Sequence, residues 1–221
     1  MNNWHIVEIT SIETIAIDTV CVTLTRPLDF KYVAGQYVVV HVKVSDEDTL
    51  LRQYSFSSPP TEDHLQFIIR NQRGSKASNW FCKSATKGMH LQISDPLGAF
   101  AIDRKRPALL IAGGVGITPF LSILRENQFN TTLIYSERSA DRLCYADELH
   151  SLLPSPMLKI IESNIEGRLT TQNLQSYITD NQIVYICGSF QFVTDVTKLA
   201  LSAGVKLNDI ATEAFTLKKT V

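Results

Sequence analysis

A chain of 221 residues is long enough for one large domain or two small ones. With 44% hydrophobic and 19% charged residues it has the makeup of an ordinary soluble globular protein. A formal charge of −1 supplies no broad cationic surface, which argues against a nucleic-acid or anionic-membrane partner.

In chain order, roughly the first hundred residues read as strands. Residues 5–17 alternate and are rich in Ile, Val and Thr. After the turn Asp18-Thr19 come 20–25, then the β-branched run 36–44, entered through Ala34-Gly35, then 65–70 and 90–94. Only 75–85 looks helical in this half. Short strands with turn signals between them predict a barrel or sandwich. The character changes at Asp103-Arg104-Lys105-Arg106-Pro107. Beyond it, apolar strands at 109–112, 131–135, 158–162 and 183–186 alternate with helical segments at 118–126, 145–152, 170–177 and 190–201. A last strand is expected at 210–215. The alternation implies βαβ units and a parallel-sheet α/β domain, with the loops at the strand C-termini along one edge. The expected domains are 1–103 and 104–221.

Cys21, Cys82, Cys144 and Cys187 are widely spaced and suggest neither zinc nor an iron–sulfur cluster. His5, His41, His64, His90 and His150 show no ligand spacing, so no metal is expected. The N-terminus has no cationic start followed by an apolar core, and no run is long enough to span a bilayer. A cytoplasmic protein with reduced thiols is the expectation.

Two motifs carry chemistry. Gly113-Gly114-Val115-Gly116-Ile117-Thr118-Pro119 follows an apolar strand and opens a helix. Such a turn brings backbone amides close to a diphosphate. It departs from the usual dinucleotide fingerprint, because Pro119 stands where a third glycine would be. Cys187-Gly188-Ser189 follows another strand and falls on the same edge. Tyr135-Ser136-Glu137-Arg138 ends the strand between them. Arg138 suits an adenosine phosphate and Glu137 a ribose hydroxyl, which leaves NADPH and NADH both open. In the first half, Arg52-Gln53-Tyr54-Ser55 lies in strand-like sequence. Arg52 offers a planar fork for phosphate, Tyr54 a flat ring for an isoalloxazine, and Ser55 a small hydroxyl donor. Gly74-Ser75-Lys76-Ala77-Ser78 is a second anion nest, with Ser78 either a pyrophosphate ligand or a helix cap. Trp80 reads as core packing.

With Val33-Ala34-Gly35-Gln36-Tyr37, Asp95-Pro96-Leu97-Gly98-Ala99-Phe100 and Glu213-Ala214-Phe215 added, the chain resembles the ferredoxin–NADP reductase-like superfamily over nearly its whole length. The resemblance implies an antiparallel flavin-binding β-barrel followed by a nicotinamide-dinucleotide domain, with FAD and NAD(P)H as cofactors. It implies Arg52 on flavin phosphate, Tyr54 packed on the flavin, Ser55 near N5, and Gly74 and Ser78 at the pyrophosphate. It implies Gly113, Gly114, Gly116 and Thr118 receiving the nucleotide, with Arg138 and Gly188 beside it. Cys187 and Glu213 would flank hydride transfer, and Phe215 would cover the flavin. Phe stands at this last place where Tyr is frequent, and six residues follow it. The expected activity is hydride transfer from NAD(P)H to bound FAD and electron delivery to an acceptor protein such as a ferredoxin or flavodoxin, in a stand-alone reductase without an iron–sulfur or globin module. Two alternatives stay open: a flavin reductase using free flavin as substrate, and a non-catalytic electron-transfer subunit.

Overall fold

The computed structural model describes residues 3–45, 47–126 and 130–215. These residues divide into two compact units: Met1–Ala101 with Leu121–Glu126, and Ile102–Phe120 with Asn127–Val221.

The first unit is built from β1 (Trp4–Ala16), β2 (Thr19–Thr25), β3 (Tyr37–Lys43), β4 (Thr49–Ser55), β5 (His64–Arg70), helix α1 (Lys76–Lys83) and β6 (His90–Ser94). The strands form one antiparallel sheet in the order β4-β3-β6-β1-β2-β5. The outer strands β4 and β5 also approach each other, so the sheet curls into a barrel. Period-2 alternation drives this. Val38, Val40 and Val42 of β3 are fully buried, while Tyr37, Val39 and His41 between them are half-buried. They join Val7, Ile9, Val22, Leu24, Leu65, Phe67, Leu91 and Ile93 in one core, with Phe56 and Phe81. Each such side chain contributes about 1.5–3 kcal/mol on full burial. Trp80 packs on this core, edge-on to Phe81 at 5.0 Å, as expected of it.

The second unit holds β7 (Ala108–Gly113), β8 (Thr131–Glu137), α3 (Ala146–Leu152), β9 (Leu158–Glu162), α4 (Ser163–Glu166), α5 (Thr171–Gln175), β10 (Ile183–Ser189), α6 (Phe190–Ser202) and β11 (Ile210–Phe215). Helix α2 (Ile117–Glu126) starts in this unit, and its second half belongs to the first. The sheet is parallel throughout, in the order β11-β10-β7-β8-β9. Ala108 to Ala112 are buried without interruption, the pattern of a strand covered on both faces. No helix of the described residues is long and apolar enough to cross a membrane.

Several boundaries differ from the sequence reading for identifiable reasons. Helix α1 is shorter than 75–85, because the Ser75 side chain caps it by accepting from the Ser78 amide. Tyr145 takes a left-handed conformation, φ +57°, so α3 starts one residue later than expected. Thr170 closes a capping box with Asn173 and lies outside α5, which ends at Gln175. Strands β8 and β10 extend beyond their apolar runs, to Glu137 and Ser189, since ladder hydrogen bonds continue where hydropathy stops. Helix α4 carried no sequence signal that was read.

Candidate functional site

In the parallel sheet the chain runs from the central strand β7 outward through β8 and β9, then returns to β10 and β11 on the other side. The order therefore reverses between β7 and β10, and open α/β sheets bind ligands in the crevice beyond such a switch point. The turn Gly113–Thr118 leaves β7, and Cys187-Gly188 ends β10 beside it, with Cys187 opposite Ala112. On the other flank of β10, Cys187 pairs in register with Glu213, and Ser189 with Phe215. The structure thus collects Gly113, Gly114, Gly116, Thr118, Cys187, Gly188, Glu213 and Phe215 along one sheet edge.

Internal packing explains part of this set. A Cβ on Gly116 would lie 2.2 Å from the carbonyl oxygen of Cys187 and 2.7 Å from the amide of Gly188, so the turn passes against the end of β10 backbone to backbone. Gly113 and Gly188 make room for one side chain, Phe192 on the first turn of α6. Added Cβ atoms would come within 2.6 Å and 2.7 Å of its ring. The Thr118 hydroxyl donates to the carbonyl of Val115 at 2.7 Å and is buried. Phe192 was missed in the sequence reading. The signal available was a pair of glycines on adjacent strands facing an aromatic on the following helix.

Cys187 is fully buried. Burial first, and the neighbouring Glu213 carboxylate second, push its thiol well above the ordinary value. A thiol that keeps its proton is a poor nucleophile. At the end of β8, Glu137 is buried, its carboxylate accepting from the Arg138 amide at 3.0 Å and lying 3.9 Å from Nε of Arg142. Arg138 itself is exposed.

In the first unit, β4 carries the other motif. Arg52 and Tyr54 share one face, half-buried, and Ser55 is buried at the strand end opposite Tyr37. The Arg52 guanidinium donates to the carbonyl of Leu51 at 2.8 Å. Tyr54 stacks on Phe67 at 5.8 Å and meets Phe81 edge-on at 5.4 Å. Burial raises its phenol well above the usual value, so the ring is a neutral, fixed plate. Ser78 does not cap α1, since Ser75 does. Its hydroxyl accepts from the Gln72 amide at 3.0 Å and donates to the Ser75 carbonyl, which ties the turn together. Gly74, at φ +82°, has nothing within 4 Å of where a Cβ would stand. It opens a cleft of about 450 Å³ lined by Asp18, Asn71, Gln72, Arg73, Gly74, Ser75, Lys76 and Asn79. Lys76 pairs with Asp48 at 2.7 Å.

Residues 6–102 match the family model described as the oxidoreductase FAD-binding domain. Residues 110–198 match the oxidoreductase NAD-binding domain. The chain belongs to the ferredoxin–NADP reductase-like superfamily. Its two domains are the FAD-binding and NAD-binding domains of oxidoreductases. Among relatives within this superfamily, flavohemoprotein A of Dictyostelium discoideum is 28% identical over 218 residues, 86% of this chain and 55% of its own length. The ferredoxin reductase component of 3-ketosteroid-9-alpha-monooxygenase from Mycolicibacterium smegmatis is 29% identical over 197 residues, 84% of this chain and 56% of its own. The chain spans about half the length of these curated relatives. Among solved structures, the flavohaem-like FAD/NAD-binding domain of nitric oxide dioxygenase from Vibrio cholerae superposes with a TM-score of 0.82 at 25% identity, covering 95% of this chain and 98% of that one.

The donor set suits the superfamily's cofactors. The cleft at Gly74 combines Arg73, Lys76 and the amides of a helix start, the groups a diphosphate takes. Asp18 is the one carboxylate in its lining. The switch-point crevice, with its glycine turn at a helix N-terminus, suits a second dinucleotide.

Proposed function

We propose that this chain takes hydride from NAD(P)H onto FAD held by its first domain and passes the electrons to an acceptor protein. The observation that carries this reading is the switch point of the parallel sheet, where the glycine turn after β7 and the Cys187-Gly188 end of β10 lie side by side. Bound FAD supplies the two-electron chemistry, and the protein supplies position and electrostatics.

In this reading Arg52 holds the flavin phosphate, and the cleft at Gly74, tied by Ser78, takes the pyrophosphate. Tyr54 gives a neutral ring fixed by Phe67 and Phe81 for the flavin to lie on. Ser55 Oγ donates toward N5. The amides of Gly113, Gly114 and Gly116 and the turn at Thr118 receive the nicotinamide nucleotide, with Gly188 beneath it and Arg138 toward the adenosine end. Cys187 keeps its proton and fills the floor of the crevice, and Glu213 stands next to it. Phe215, the register partner of Ser189, covers the flavin face. The acceptor is of the kind the relatives' names indicate, a haem protein or a ferredoxin-type partner, with a flavodoxin as the other small carrier. The widely spaced cysteines fit a reducing, cytoplasmic setting. The domain division near residue 103 belongs to the same proposal.

The test is stopped-flow reduction of purified, FAD-loaded protein with NADH and NADPH in parallel. Saturable bleaching of the flavin by either nucleotide is the expected result, slowed in Ser55→Ala and Glu213→Gln variants that retain FAD. A folded chain that takes up no flavin overturns the reading. Flavin that is reduced only as a free, diffusing molecule replaces it with the flavin-reductase alternative. Retained FAD without turnover on a dye acceptor replaces it with the electron-transfer subunit.

A further inference from the structure

We propose that Ser122 and Arg125 are positioning residues for the flavin strand: from the second half of helix α2 they fix the Phe56–Ser58 turn and, through it, Ser55. The proposal rests on the functional reading above, in which Ser55 faces the flavin.

The ladder between β4 and β3 ends at the pair Ser55–Tyr37. Beyond it the backbone changes partners within two residues. The Phe56 amide still donates to Gln36 at 3.1 Å, whereas the Ser57 amide donates to the Gln66 carbonyl of β5 at 2.8 Å. A crossover of this kind leaves carbonyls that no strand satisfies, and at Ser57 and Ser58, both 0% exposed, they have no access to solvent. Helix α2 supplies the donors. The Ser122 hydroxyl donates to the Ser58 carbonyl at 2.6 Å, and that same oxygen accepts from the Tyr32 phenol at 2.9 Å. Nη1 of Arg125 donates to the Ser57 carbonyl at 3.0 Å and to Oε1 of Gln66 at 3.2 Å, so one guanidinium nitrogen ties the turn to β5. The Ser58 hydroxyl closes the arrangement by accepting from the Gln66 amide at 3.0 Å. A charged donor on a buried carbonyl makes one of the stronger protein hydrogen bonds.

Two features make this more than local packing. The anchored turn starts one residue after Ser55, so any slack in it is passed directly to the side chain proposed to meet N5. The anchors also sit on the helix that opens at the glycine turn, and an α-helix of ten residues is a rigid rod of about 15 Å. Reaction rate is far more sensitive to placement than affinity is.

The experiment compares the unsubstituted chain with Ser122→Ala, Arg125→Gln and the double variant, and with Ser122→Thr and Arg125→Lys, which keep a donor at each place. In FAD-loaded protein the limiting rate of flavin reduction is expected to fall about tenfold to a hundredfold in the variants lacking a donor, with nucleotide affinity within about twofold, and to recover in Ser122→Thr. In the FAD-free chain, amide exchange at Ser57 and Gln66 is expected to speed up while Ile111 and Ile134 of the second unit keep their protection. Folded, FAD-loaded variants that are reduced at the unsubstituted rate overturn the positioning role. So does a slow rate that matches only lost FAD. If the unsubstituted chain itself takes up no FAD, the functional reading has failed and this role falls with it.

Discussion

At Cys187 two influences act in the same direction. Removal from water disfavours the thiolate, and the Glu213 carboxylate across the β10–β11 ladder repels it. The thiolate is the reactive form, so a raised pKa means less of it at any given pH. Cys82, half-buried, is raised by burial and by Asp18, yet it is more accessible than Cys21, Cys144 and Cys187. Alkylation of the native protein at pH 8 is therefore expected to label Cys82 first and to reach the other three only on unfolding. The order is read by digestion and mass spectrometry at several times. Raising the pH should accelerate Cys82 well before Cys187. Early labelling of Cys187 would mean that its thiol is neither buried nor neutral.

At the scale of elements, the glycines of the switch point fall into two classes that mutation separates. Gly116 faces backbone: a methyl there meets the Cys187 carbonyl, which cannot move without disturbing β10. Gly113 faces the ring of Phe192, which a smaller side chain could relieve. Gly116→Ala is expected to cost about 3 kcal/mol or more, at the upper end of overpacking penalties, and to stay destabilised when Phe192→Leu is added. Gly113→Ala is expected to cost about 1–3 kcal/mol and to be partly rescued by Phe192→Leu, giving a coupling energy that Gly116 lacks. Urea unfolding of the parent, the two glycine variants, Phe192→Leu and the two double variants measures this. The same contrast shows what sequence could carry. Strands 90–94, 158–162 and 210–215 were legible to the residue, because a patterned run bounded by turn residues records its own ends. The glycine turn was legible as a turn. That Phe192 fills the space above it was not, since the contact joins residues from different βα units and depends on which strands end up adjacent. Ser78 shows the reverse: its residue type suited a ligand or a cap, and tertiary context assigned its hydroxyl to the turn preceding the helix.

For the whole molecule, the point of interest is that helix α2 follows a strand of the parallel sheet while Leu121–Glu126 packs within the barrel unit. The composition break at 103–107 made a cut near 103 natural, and nothing local marks a helix whose second half is claimed by residues some sixty positions earlier. The consequence is specific. A fragment of residues 1–101 would keep every strand of the barrel but leave the Ser57 and Ser58 carbonyls without Arg125 and Ser122. The Ser58 carbonyl would keep only the Tyr32 phenol, the Ser57 carbonyl would lose its donor at a cost of about 1–3 kcal/mol while it stays buried, and Leu121, Ile123 and Leu124, all buried, would no longer contribute their apolar area. Against a total stability of about 5–15 kcal/mol for a domain, these losses are large. The fragment 1–126 is therefore expected to show a cooperative thermal transition and dispersed amide resonances under conditions where 1–101 is partly unfolded. Equal stability of the two fragments would show that the barrel completes its core without the helix, and that Ser122 and Arg125 rest on it without holding it.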